Sequence, residues 1–304
     1  MLIVTGTKRS GTSMWMQILI AAGFTPFGEA FPSNWGETLR EANPSGFYES
    51  LLRQGIYWRT NPHPRTGAYF FPEQVERHVV KVFIPGLVRT DRAYIGRVVA
   101  TVREWREYEA SLNRLYAMED KARLERKPDS TGPVRFPPAL EWWSENFALV
   151  RDIAIRRYPV HVQSYDGLMK NPEAVIRKTL QWLGDKSQGP AGREGSIDVD
   201  KAIAAVEPSN RTQVRPESDT MEPEFMAMFD ALYQAIDLGK GLDRELIREL
   251  NTTNTKLIPR IQAAQKAVHD DQLRRQQARA GVRSGPPDEG EGPLPAGSLG
   301  WDEG

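Results

Sequence analysis

Cysteine is absent from all 304 residues, which removes disulfides, thiolate metal ligands and cysteine nucleophiles from consideration. An excess of one charge is missing too. Lys plus Arg number 40 and Asp plus Glu number 40, so no global field favours nucleic acid or a membrane surface, and any anion site must be local. No apolar run is long enough to cross a bilayer: Met14 to Ala22 falls far short, and no basic region with a long apolar segment precedes Leu2. The expectation is a soluble cytoplasmic protein with no nucleic-acid partner and no membrane span. No repeat at solenoid spacing is present. Length predicts one large domain over residues 1 to 280. Beyond it the Gly, Pro, Ser and acidic residues of 281 to 304 predict a disordered tail.

What is present is concentrated in the first fifteen residues. Leu2-Ile3-Val4-Thr5 is a β-branched run of strand type, Gly6-Thr7-Lys8-Arg9-Ser10-Gly11 is a turn with glycine at both ends, and Met14, Trp15, Ile18, Leu19 and Ala22 recur at helical spacing. Strand, loop and helix in that order aim the amides of Ser10, Gly11, Thr12 and Ser13 at an anion, and Lys8 and Arg9 can wrap back over it. The Gly6-x4-Gly11 spacing matches the phosphate loop of nucleotide-binding proteins. Thr12, however, stands where such loops place the lysine that reaches the β- and γ-phosphates, which argues against a nucleoside triphosphate.

The segment Gly6 to Trp15 resembles the 5′-phosphosulfate loop of sulfotransferases that use 3′-phosphoadenosine 5′-phosphosulfate (PAPS), with Arg9 on the basic position before Ser-Gly-Thr-Ser. A second block agrees with it. The strand Val98 to Val102 is followed by Arg103, and Ser111 lies eight residues on in the next helix. An arginine and a serine at that spacing hold the 3′-phosphate in the family, where a guanidinium fork and a hydroxyl suit a phosphate in a strand-end crevice. Asn43-Pro44-Ser45-Gly46-Phe47-Tyr48-Glu49 is similar to a segment of bacterial members. Tyr165 to Pro172, with Asp166 as its cap, is similar to a structural segment that closes the core. Arg211, with Arg215 as the alternative, falls where family members return an arginine over the 3′-phosphate. The strand Val79 to Phe83 departs from the pattern, because Phe83 replaces the catalytic histidine of a Lys-Thr-His segment.

The rest of the chain is read more coarsely. Residues 25 to 75 and 119 to 137 predict lid-like excursions, the first rich in aromatics. Helices are expected from Pro138 to about Tyr158, Ala174 to Leu183, Val199 to Val206, Pro223 to Ile236 and Leu242 to about Arg279. His161, between valines of a short strand, reads as a core histidine.

The resemblance implies a P-loop NTPase-like, three-layer α/β/α fold with a central parallel sheet and a helical C-terminal extension. It implies in-line transfer of a sulfuryl group from PAPS to a hydroxyl or amine of a small-molecule or glycan acceptor, with PAP as product and no metal. Arg9 and the loop amides would stabilise the leaving phosphate, with Lys8, Ser10, Gly11, Thr12, Ser13, Arg103, Ser111 and Arg211 binding the cofactor. With Phe83 unable to act as base, Glu49 is the first candidate, ahead of Glu29 and His63. A P-loop kinase using Mg²⁺ and a non-catalytic PAP or PAPS binder are the alternatives.

Overall fold

The computed structural model describes residues 1–31, 46–63, 66–69, 71–184, 197–206 and 216–283. Asn43 to Ser45, Arg211, Arg215 and residues 284–304 lie outside the described residues.

Five strands form one parallel sheet: β1 (Leu2–Thr5), β2 (Thr25–Phe27), β3 (His78–Lys81), β4 (Arg97–Val102) and β5 (Val160–Ser164), in the order β2-β3-β1-β4-β5. β1 is central, with Leu2 opposite Val79 of β3 on one side and opposite Arg97 of β4 on the other. Its alternation decides the layers. Leu2 and Val4 face a core with Trp15, Ile18 and Leu19 of α1 (Thr12–Ala21), and Ile3 faces the opposite core with Val80, Val98 and Ala100. Both faces are covered, so the strands are apolar almost throughout, and each fully buried aliphatic side chain contributes roughly 2 kcal/mol.

Helices close both faces in chain order: α2 (Pro72–Val75), α3 (Ile84–Arg89), α4 (Trp105–Arg126), α5 (Pro138–Arg156), α6 (Tyr165–Lys170), α7 (Pro172–Gly184) and α8 (Val199–Ala204). The C-terminal part adds α9 (Pro223–Asp237) and α10 (Arg244–Arg283). The result is a three-layer α/β/α, P-loop-like fold with a helical extension. A third core holds that extension in place. Phe229 of α9 stacks on Trp143 with ring centroids 4.8 Å apart and meets Trp105 edge-on at 5.7 Å, which fixes α4 and α5 against α9. Two arginines close helix ends: the buried Arg97 donates to the carbonyls of Trp182 and Leu183 at 2.6 and 3.0 Å, and the half-buried Arg156 donates to those of Thr90 and Leu87.

The structure departs from the sequence reading at four places. Thr25–Phe27 is a strand inside the expected excursion, because Thr25, Pro26 and Phe27 pair in parallel with the exposed edge of β3. Residues 119–126 continue α4 instead of leaving it. Good helix formers carry that turn without an apolar stripe, and Arg135 of the following segment clasps Glu119 and Asp120 at 3.2 and 2.8 Å. Ser164, not Asp166, caps α6: its hydroxyl accepts from the Gly167 amide at 2.8 Å, while Asp166 is buried in the first turn. Lastly, α10 continues to Arg283, three residues into the expected tail.

Candidate functional site

The carboxyl ends of β1, β3 and β4 meet where strand order reverses around β1, the place where open parallel sheets present a crevice. The loop after β1 is built for close approach. Gly11, at φ 96°, caps α1, and a Cβ there would lie 2.8 Å from Cδ2 of Tyr165. Gly6 is equally constrained, since a Cβ would lie 2.5 Å from the Thr101 carbonyl oxygen. Ser10 stabilises the loop itself, its hydroxyl and amide both donating to the Thr7 carbonyl, at 2.7 and 3.3 Å. The first internal bond of α1 runs from the Trp15 amide to the Gly11 carbonyl, so the amides of Thr12, Ser13 and Met14 precede it and face the crevice.

Arg9 adopts the left-handed region at φ 64°, which is uncommon for a side chain of this size. Its carbonyl accepts from Arg103 Nη1 at 3.2 Å, and its Nε donates to Ser111 Oγ at 3.3 Å. The two segments that the family resemblance singled out are therefore joined directly, by residues 102 positions apart. Thr101 adds a tie from β4, its hydroxyl donating to the Ser10 carbonyl at 3.0 Å. Arg103 is buried over the Tyr165 ring, 4.7 Å from its centroid, and pairs with Glu107 at 3.4 Å.

Positive charge accumulates here. Burial lowers the affinity of Arg9 for its proton, and the neighbouring Arg103 and Arg114 lower it further, against an opposing pull from Tyr165. Arg114, three residues beyond Ser111 on α4, is exposed and makes no ion pair among the described residues. Sequence reasoning passed over it; its i+3 relation to Ser111 is the signal that could have found it.

The β3 side carries a further cation that sequence reasoning passed over. Lys81 is almost completely buried, and its Nζ donates to Ser13 Oγ at 3.1 Å, to the Phe47 carbonyl at 3.0 Å and to Glu49 Oε1 at 3.1 Å. Burial pushes its pKa down, with Glu49 opposing. A lysine inside an apolar strand is itself a signal, because lysines are rarely buried without a partner. Phe83 lies beside this ammonium, with its ring centroid 5.3 Å from Nζ.

Of the base candidates, Glu49 has both oxygens engaged, one by Lys81 and the other by Arg53 at 2.7 Å. Glu29 is brought beside it by an antiparallel backbone bridge and is exposed, with no ion pair among the described residues. His63 belongs to an exposed turn, where its Nδ1 accepts from the Thr66 amide at 3.1 Å. His161 stacks on Trp182 at 5.3 Å, and burial holds its pKa down at about 4. Among the described residues no group of three or more His, Asp or Glu is arranged to hold a metal, and no helix is long and apolar enough to cross a membrane. In comparisons with known proteins, no family model matches this chain and no curated protein matches its sequence.

Proposed function

We propose that the protein is a sulfotransferase that takes a sulfuryl group from PAPS and passes it to an acceptor hydroxyl or amine. The observation that carries this reading is the contact between Arg9 and Ser111, which unites a phosphate loop lacking the triphosphate lysine with a separate Arg-Ser pair. A ligand with two separated phosphate groups answers that arrangement better than a nucleoside triphosphate. The residues present fit such a ligand. Arg9, Arg103 and Arg114 converge with Glu107 as the paired carboxylate, and the Thr7 hydroxyl is buried in the loop without a hydrogen-bond partner among the described residues.

PAPS supplies the activated sulfuryl group and a phosphate leaving group. Arg9, the amides of Thr12, Ser13 and Met14, and Lys81 through Ser13 would receive the charge that grows on that phosphate, in fixed positions that need no reorganisation. Arg103, Ser111 and Arg114 would hold the remote phosphate, with Lys8 at the open side of the loop. The proton of the acceptor falls to Glu29, because Glu49 is committed to holding Lys81 and Arg53.

Calorimetric titration with PAP and, separately, with ATP plus Mg²⁺ tests the reading. PAP is expected to bind and ATP to bind at least about tenfold more weakly. Tighter binding of Mg-ATP would transfer the site to the kinase alternative. PAP binding without turnover of PAPS across hydroxyl and amine acceptors would favour the non-catalytic one.

A further inference from the structure

Glu49 is held more elaborately than a surface glutamate needs. The segment that carries it is pinned at three points: the Gln17 side chain of α1 donates to the Gly46 carbonyl at 3.2 Å, the Phe47 amide donates to the Ala30 carbonyl at 2.8 Å, and an antiparallel bridge joins Glu49 to Glu29. Between these points Tyr48 takes the left-handed region at φ 52°, which costs a side chain of this size on the order of 1 kcal/mol. What the turn achieves is convergence. The Phe47 carbonyl and the Glu49 carboxylate both accept from the Lys81 ammonium, at 3.0 and 3.1 Å, and Ser13 Oγ accepts its third bond at 3.1 Å. All three donors of the ammonium are thereby used, and one of them ends on the first turn of α1.

A buried ammonium loses its proton readily unless a carboxylate stands beside it. The rings of Phe47 and Phe83 lie 5.8 and 5.3 Å from Lys81 Nζ, and only 2 % of the residue is exposed. Arg53 closes on the far oxygen of Glu49 at 2.7 Å, so the carboxylate is fixed from both sides. We infer that Glu49 is a positioning residue for the anion site: through Lys81 it sets the charge and the aim of the cation that β3 presents to the first turn of α1. This role rests on the reading of the loop after β1 as an anion site, and not on PAPS as the anion.

Removing the carboxylate has two opposite effects on an anion held by the loop. At low pH Lys81 stays protonated, and the loss of a negative charge nearby strengthens anion binding. At higher pH the balance turns. Burial lowers the proton affinity of Lys81, Arg53 and Arg9 lower it further, and Glu49 is the group that opposes all three. Without Glu49 the ammonium gives up its proton at a lower pH than in the parent, the cation is lost from the site, and anion binding weakens. Affinity in Glu49→Gln relative to the parent therefore falls as pH rises, which a loss of packing alone does not produce.

The test is calorimetric titration of the full chain with inorganic sulfate, whose charge is constant over the range used, and separately with PAP. The ratio of Glu49→Gln affinity to parent affinity for sulfate is expected to fall on the order of tenfold between about pH 6 and pH 9. Lys81→Met should bind sulfate more weakly than the parent by a factor that does not change with pH. The double variant Glu49→Gln/Lys81→Met, which strands no ammonium and so keeps the test open if Glu49→Gln unfolds, should match Lys81→Met. A constant ratio in Glu49→Gln, a further loss on adding Glu49→Gln to Lys81→Met, or no sulfate binding by the parent overturns the role. The expected sulfate profiles in a protein that does not bind PAP keep the role and remove the PAPS reading; PAP binding with a constant sulfate ratio does the reverse.

Discussion

Arg9 concentrates the chemistry of the crevice because its backbone conformation, its Nε and its carbonyl are each fixed by a different partner. Arg9→Ala is expected to lower PAPS turnover by roughly a hundredfold or more while leaving circular dichroism unchanged, and Arg9→Lys should recover part of it. Arg103→Ala should weaken PAP binding by on the order of 2 kcal/mol and Ser111→Ala by less. Since both residues also hold Arg9, their effects and that of Arg9→Ala should not add, and a double-mutant cycle by calorimetry reads the coupling. Glu29 and Glu49 separate in the same way. Glu29→Gln is expected to cost about a hundredfold in kcat/KM and to remove the acidic limb of the pH-rate profile, whereas Glu49→Gln should lose about 3 kcal/mol of stability by stranding Lys81. An unchanged profile in Glu29→Gln would return the base role to Glu49. The carboxyl of Glu145 on α5, raised by burial and then by the charge of Glu141, carries its own prediction. Its protonated form is favoured in the folded state, so its contribution holds at low pH and is lost as pH rises through about 8. Glu145→Gln should therefore be more stable than the parent near pH 8.5, by on the order of 2 kcal/mol in urea unfolding, and indistinguishable near pH 4.

Elements here are held at their ends more than by their own propensity. The turn from β5 into α6 shows this: the Ser164 hydroxyl accepts from the Gly167 amide and donates to Asp237 at the end of α9. Ser164→Ala removes a cap and a link between two layers, and should lower the urea midpoint by an amount equivalent to about 1 to 2 kcal/mol. An unchanged midpoint would mean that solvent replaces both bonds without loss. The start of α1 is more constrained. Gly11→Ala places a methyl group against the Tyr165 ring at a φ of 96°, so α1 must shift or Tyr165 must move, and Arg103 rests on that same ring.

At the scale of the whole molecule, the crevice is where three strand ends, the loop after β1, the Arg103–Ser111 segment and the first turn of α1 come together. Uncompensated arginine charge there opposes folding, so an anion that neutralises it stabilises the native state. At one hundred times its dissociation constant PAP should add about 2.7 kcal/mol, read as an increase in Tm of several degrees that falls to roughly a third in Arg103→Ala at the same PAP concentration. No increase at saturating PAP would remove the two-phosphate site.

The strand, glycine turn and helix at the start of the chain were legible in the sequence because each is set locally, by β-branched runs, by glycine positions and by a 3.6-residue period. The Arg103 and Ser111 pair was legible only through its resemblance to the sulfotransferase pattern, one residue at a strand end and one on a helix face. Lys81 and Arg114 were not. Their significance depends on what stands opposite: Ser13 sixty-eight residues away for Lys81, and Arg9 across the crevice for Arg114. The strand at Thr25–Phe27 was missed because its pairing comes from the free edge of β3, which no local pattern announces. Nor could sequence separate Glu29 from Glu49. Both are glutamates in the same excursion, and packing alone put two cations on one of them and left the other exposed. Local chemistry thus determined the strand, glycine loop and helix at the start of the chain, while long-range packing decided which charges are paired, because burial and opposite charge act through space and not along the chain.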